Sequence, residues 1–354
     1  DLIALHSMSM WQESNAIASL LSAGVDFWKP DQAPLAAPAN FSGSCHPGSL
    51  RLPFHANESC PGNRCSVPHP LCLAQRGEYV SDMIRRHGYW PDCKWLIGMW
   101  DSLEAVQVDG RDMGDLFVDV GANIGGCTLE MLLRTDARVV AFEPSPSNLF
   151  YLTRTLHRAA ELDPTIVHRV VVLPYAAGSS SETRQINDNG GASAIVPVSS
   201  TAAASCLAQR NCGGSVQSIQ QRTLDELLEH FWDTHGQKKV NPDTVPVRVM
   251  KIDVQGYECS VLEGALRSLK SHMVASISAE WDAKTNPGRS FRCTQRRLFE
   301  AFHTGGLGYV KIHTMSEETI FAHRCGQLDM HHVDGRLRTH SDFFTKPTGA
   351  CKFV

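Results

Sequence analysis

Two stretches of this chain share one pattern: a short apolar run, a polar turn containing glycine, then an amphipathic run. That repetition leaves few folds open. Residues 116–120 are apolar apart from Asp119, glycines follow at 121 and 125, and Cys127 to Leu133 carries apolar residues at helical spacing. Residues 245–258 and 261–269 repeat the pattern. Between and after them the sequence predicts strands at 116–120, 138–142, 168–174, 247–252 and 274–280, and helices at 125–134, 146–160, 223–232 and 257–271. Strand and helix in alternation predict an α/β fold, a mostly parallel central sheet with helices on both faces.

The first turn reads as a nucleotide-cofactor site. Gly121 and Gly125 let the backbone approach a ligand closely, and the next strand ends in Glu143, about 20 residues on, where a ribose diol needs an acceptor. The glycines are spaced G-x-x-x-G, with Asp119 before them, whereas a loop that cradles a pyrophosphate reads G-x-G-x-x-G. An amino-acid and ribose ligand such as S-adenosylmethionine fits this spacing better. Asp119 and the loop residues Gly121, Ala122, Asn123 and Gly125 would reach its charged end, Glu143 would hold both ribose hydroxyls, and Pro144 would pack on the base. The plainer reading is a glycine turn in an ordinary α/β sheet.

Four words in order, VDVGANIG at 118–125, FEP at 142–144, TLDEL at 223–227 and KIDVQGYE with VLEGA at 251–265, resemble the FkbM-type family of S-adenosylmethionine-dependent methyltransferases. The resemblance covers roughly Glu78 to Gly308. It implies a Rossmann-like methyltransferase fold and methyl transfer, commonly to a hydroxyl of a sugar or a sugar-bearing product. Two positions depart from the family's pattern. Gln255 stands where the family often has Glu, and no acid follows the third strand, where many related enzymes hold the adenine amino group.

Methyl transfer to a hydroxyl needs in-line alignment and a proton acceptor. Asp253, at the end of a central strand, is the best placed base and could alternatively contact the cofactor. Glu258 and Glu280 are further candidates, each equally readable as a helix-end or strand-end carboxylate with a structural partner. A divalent metal held by Asp253 and Asp282 is a minor alternative, since magnesium takes one or two carboxylates. The 16 histidines, His323, His331 and His332 among them, show no metal-ligand spacing and read as ordinary core or surface residues.

Four of the 12 cysteines, Cys45, Cys60, Cys65 and Cys72, crowd a Pro/Gly-rich segment whose spacings fit disulfides better than zinc. The sequons Asn40-Phe41-Ser42 and Asn57-Glu58-Ser59 lie in the same segment. Together they predict a luminal (Golgi) or secreted protein, with a signal peptide or N-terminal anchor removed, because no run of about 18 apolar residues remains. Cys127 and Cys259, at apolar helix positions, are expected to be buried thiols. Cys206 and Cys212 could close a small loop, and Cys325 and Cys351 could pin the tail. Charges nearly balance, 33 basic against 37 acidic, with no basic run, which argues against nucleic acid.

The expected organisation is an irregular Cys-rich extension (1–77), a methyltransferase domain (78–313) with a loop-rich insert (179–221), and a C-terminal cap (314–354). Inserts that leave the carboxyl ends of the strands line the ligand crevice. Asn187, Asn189 and Ser193 are therefore candidate contacts for a glycan acceptor, or simply part of a solvated turn. Three functions compete: a luminal O-methyltransferase acting on a glycan, a secreted structural or carbohydrate-binding protein with a degraded site, and a cytosolic small-molecule methyltransferase.

Overall fold

A computed structural model describes residues 20–38, 41, 43–50, 69–91, 93–103, 112–188, 193–195, 215–232, 244–271, 273–280, 309–315 and 318–323, the last two segments as backbone. Asn40, Asn57, Cys60, Cys65, Asn189, Cys206, Cys212, Asp282, Cys325, His331, His332 and Cys351 lie outside them.

In chain order, β1 (His46–Leu50) and β2 (His69–Leu73) form an antiparallel pair. Next come α1 (Tyr79–His87) and α2 (Cys93–Ser102), then β3 (Asp112–Val120), α3 (Gly126–Arg134), β4 (Arg138–Phe142), α4 (Pro146–Leu162) and β5 (Val170–Leu173). The short β6 (Ala176–Ala177) is followed by β7 (Glu182–Asp188), β8 (Ala194–Ile195), β9 (Ser215–Arg222) and α5 (Leu224–Trp232). The chain continues with β10 (Thr244–Ile252), α6 (Glu258–Glu263), α7 (Leu266–Lys270), β11 (Val274–Glu280), β12 (Tyr309–Met315) and β13 (Glu318–His323).

The main sheet has the order β12-β13-β11-β10-β3-β4-β5. Its five strands from β11 to β5 are parallel, and β13 runs antiparallel to both β11 and β12. Alternation along the strands sends side chains into two cores. Phe117, Val139, Ala141, Val170, Val172 and Val249 pack with α2, α3 and α4 on one face. Leu116, Val118, Val140, Phe142, Met250 and Ile252 pack with α5, α6 and α7 on the other. Burial on both faces explains why these strands are almost continuously apolar.

The free edge of β5 is covered by the N-terminal segment, where Trp28 exchanges both backbone hydrogen bonds with Val172 (2.8 and 2.9 Å). That pairing removes an open sheet edge. Cys45 is bridged to Cys72, and Leu71, Cys72 and Leu73 are buried against the α3/α4 face, so part of the segment expected to be irregular is a packed strand pair.

Three expectations need correction. The segment 179–221, expected as loops, carries β7 and β9, paired antiparallel over seven residues in a second sheet of order β6-β9-β7-β8. The single helix expected at 257–271 is two, because a Cβ at Gly264 would strike the carbonyl of Gly178 and the Gly264 carbonyl accepts the Asp225 N–H (2.9 Å). Cys127 is not a free thiol but is bridged to Cys93, and Cys259 is disulfide-bonded too. The Cys93 bridge fastens α2 onto the first turn of α3.

Candidate active site

The carboxyl ends of β3, β4 and β10 meet at one cleft, where an open parallel sheet presents its ligand crevice. It encloses about 550 Å³ of atom-free space, counted out to open solvent. From the loop after β3 come Gly121 and Asn123, and from the β4 end Phe142, Glu143, Pro144 and Asn148. Tyr175 and Ala176 follow β5, Ser193 and Ile195 come from the second sheet, and Asp253, Gln255 and Tyr257 from the turn after β10.

The loop after β3 is pinned to β4. Gly121 and Ala122 both donate their N–H to the Phe142 carbonyl (3.0 and 2.9 Å), and the Gly125 N–H returns to Ala122 (3.0 Å). Gly121 has φ +85°, and a Cβ there would collide with the Asp253 carbonyl, so glycine is required both by conformation and by the close approach of two backbones. Gly125, with φ +91°, is the N-cap of α3. Asn123 (φ +54°) and Gln255 (φ +55°) are the two non-glycine residues with positive φ among the described residues, and both line the cleft. Strained backbone tends to collect at functional sites.

Glu143 is buried and well donated to. Its carboxylate accepts the Asn123 N–H (2.8 Å) on Oε2 and the Ser145 N–H (2.8 Å) and Asn148 Nδ2 (3.3 Å) on Oε1. Burial pushes this carboxyl up to about 7, against the lowering pull of those donors and of Lys251.

Lys251, which no motif spacing singles out, holds the centre of the site together. Its buried ammonium donates to the Gly121 carbonyl (2.9 Å) and lies 3.2 Å from Asp253 and 3.4 Å from Asp119. One signal could have found it: a lysine in an apolar, doubly buried strand must be paired, and a period of two puts it on the same face as Asp253. Asp119 is fully buried behind the loop, where it accepts from Thr128 (2.6 Å) as well, and it does not line the cleft.

Burial alone would raise the Asp253 carboxyl. The Lys251 charge and hydrogen bonds from Glu280, Gln255 and Lys251 outweigh it, and the net shift is downward. Gln255 Nε2 reaches both Asp253 (3.1 Å) and Glu280 (3.3 Å), so an amide bridges two acidic side chains where a Glu would add a third. Glu258 lies off the cleft. Its buried carboxylate accepts the Gly256 N–H (2.9 Å) and holds the turn, and burial first, with the Asp253 charge adding, pushes it up to about 7.

Of the candidate acceptor contacts, Ser193 lines the cleft. Asn187 does not: Ile186 and Asp188 on either side of it are buried, so strand alternation turns Asn187 to the other face. Asp188 instead binds the start of α4, accepting from Ser145, Ser147 and Ser193. Among the described residues no group of three His, Cys, Asp or Glu side chains could hold a metal, and no helix is long and apolar enough to cross a membrane.

A parallel sheet ending in a glycine loop, a strand-end acid and a second acidic turn defines a Rossmann-like α/β fold of the methyltransferase type. Residues 119–292 match the Methyltransferase FkbM domain. The hexuronic acid methyltransferase AglP of Haloferax volcanii is 31% identical over 172 residues, which is 48% of this chain and 59% of that protein. A crystal structure of methyltransferase FkbM from Methylobacillus flagellatus KT aligns over 70% of this chain and 61% of its own, at 16% identity and a TM-score of 0.37. The chain thus spans about three-fifths of the length of these relatives.

Proposed function

We propose that this protein is an S-adenosylmethionine-dependent O-methyltransferase that methylates a hydroxyl of a glycan or glycoconjugate. The observation that carries the reading is the meeting of the 121–125 loop, Glu143 and the 253–258 turn around one cleft within an FkbM domain. The residues fit the cofactor. Glu143 and the unpartnered Asn148 Oδ1 offer acceptors for a ribose, and Phe142, Pro144 and Ala176 offer apolar walls for a base. The cofactor supplies a methyl group on a positively charged sulfur.

Asp253, kept ionised by Lys251, faces the cleft beside Glu280. In this reading Asp253 orients the acceptor hydroxyl and the carboxylate pair receives its proton. The sugar-modifying activity in the name of the Haloferax volcanii relative supports a sugar acceptor. The Cys45–Cys72 and Cys93–Cys127 bridges, with the sequons at Asn40 and Asn57, support work in the lumen of the secretory pathway or outside the cell.

The test is transfer of isotope-labelled methyl from S-adenosylmethionine to a panel of neutral and acidic glycans. Label should appear as an alkali-stable ether on a sugar, and Asp253→Asn should reduce turnover by roughly 100-fold or more while leaving cofactor binding intact. Label found only on carboxylates as alkali-labile ester, or on no glycan, would contradict the reading.

A further inference from the structure

Glu143 has less acceptor capacity left than a ribose diol requires. A carboxylate offers about four lone-pair sites. Three are taken by the Asn123 N–H, the Ser145 N–H and Asn148 Nδ2. One site remains, and a ribose presents two hydroxyl donors. The second acceptor lies next door. Asn148 is 3% exposed, lines the same cleft, and its Oδ1 has no hydrogen-bond partner.

Its orientation is set by chemistry: turning the amide over would bring Oδ1 against the Glu143 carboxylate, acceptor against acceptor, and would forfeit the bond that Nδ2 makes. A buried amide oxygen left unpaired costs about 1–3 kcal/mol, so an unpartnered Oδ1 on a residue that lines a ligand cleft is a place for a ligand donor. The neighbouring acid cannot serve, because Asp188 is already filled by Ser145, Ser147 and Ser193 and does not line the cleft.

We propose that Asn148 is a ribose-reading residue: its Oδ1 accepts one hydroxyl of the nucleoside diol and Glu143 accepts the other. This departs from the expectation that Glu143 holds both hydroxyls, and it rests on the S-adenosylmethionine reading above. It also gives α4 a part in recognition. Its N-cap Ser145 accepts the Asn148 N–H (3.1 Å) and fixes the first turn so that residue 148 stands beside the strand-end acid.

The experiment is calorimetric binding of S-adenosylhomocysteine and its 2′-deoxy and 3′-deoxy analogues to the wild type and to Asn148→Leu. In the wild type each deoxy analogue should bind about tenfold more weakly. In Asn148→Leu the parent ligand should weaken by a similar factor, and one deoxy analogue, not both, should lose its penalty. Both penalties persisting in Asn148→Leu, or neither appearing in the wild type, overturns this proposal while the cofactor reading stands. No binding of the parent ligand by the wild type overturns both. If Asn148→Leu does not fold, a crystal structure of the wild type with S-adenosylhomocysteine decides. One ribose oxygen within hydrogen-bond distance of Asn148 Oδ1 supports the proposal, and both on Glu143 overturn it.

Discussion

Lys251 sets the charge state of the site at the residue scale. It is the cation placed between Asp119 and Asp253. Removing one member of a buried ion cluster leaves charge uncompensated and costs about 3–5 kcal/mol. Lys251→Met should therefore lower unfolding free energy in urea by several kcal/mol, whereas the double variant Lys251→Met with Asp119→Leu should recover part of it; equal losses in both would contradict the pairing. Glu143 and Glu258 give a pH signature. Both hold their proton more tightly folded, up to about 7, than at the ordinary value of 4.5. Between those values the folded chain binds more protons, so the stability these groups contribute is full below 4.5, declines as pH rises, and is gone above 7. Each contributes on the order of 3 kcal/mol. Glu258→Gln, measured in urea at pH 5 and pH 8, should show a smaller fall than the wild type, and an identical fall would refute the assignment. The acids were legible because they end apolar runs. Lysine's role was hidden, since which carboxylates surround it is decided by strands far apart in sequence.

At the scale of elements, what periodicity could show it did. The runs around β3, β4, β10 and β11 are largely apolar, and their bounds agree with expectation within a few residues. The second sheet was not legible because β7 and β9 bury few side chains: Ile186 and Asp188 in one, Ile219 and Gln221 in the other. Strands that polar do not announce themselves by alternation. The cysteine at position 127 misled for a related reason, since a bridged cysteine on a buried helix face resembles a packed thiol and its partner lies 34 residues earlier. The bridge ties α2 to the helix that begins at the 121–125 loop. Replacing Cys93 and Cys127 together by Ser should cost about 2–4 kcal/mol in denaturant unfolding and weaken cofactor binding more than it changes acceptor preference. An unchanged midpoint would show that the bridge constrains neither.

For the whole molecule, the sheet order brings three strand ends to one cleft, the N-terminal segment seals the β5 edge, and the C-terminal hairpin β12–β13 extends the other edge. The sequence carried the site's two acidic turns and its glycine loop. It could not carry the sharing of acceptors between Glu143 and Asn148, which depends on hydrogen bonds formed only once the loop, strand and helix are assembled. The most direct test of the account is calorimetric titration of the disulfide-intact protein with S-adenosylmethionine, alongside Glu143→Ala with its fold verified by circular dichroism. The account predicts saturable, micromolar binding by the wild type and its loss in Glu143→Ala; no binding by the wild type, or equal binding by both, would contradict it.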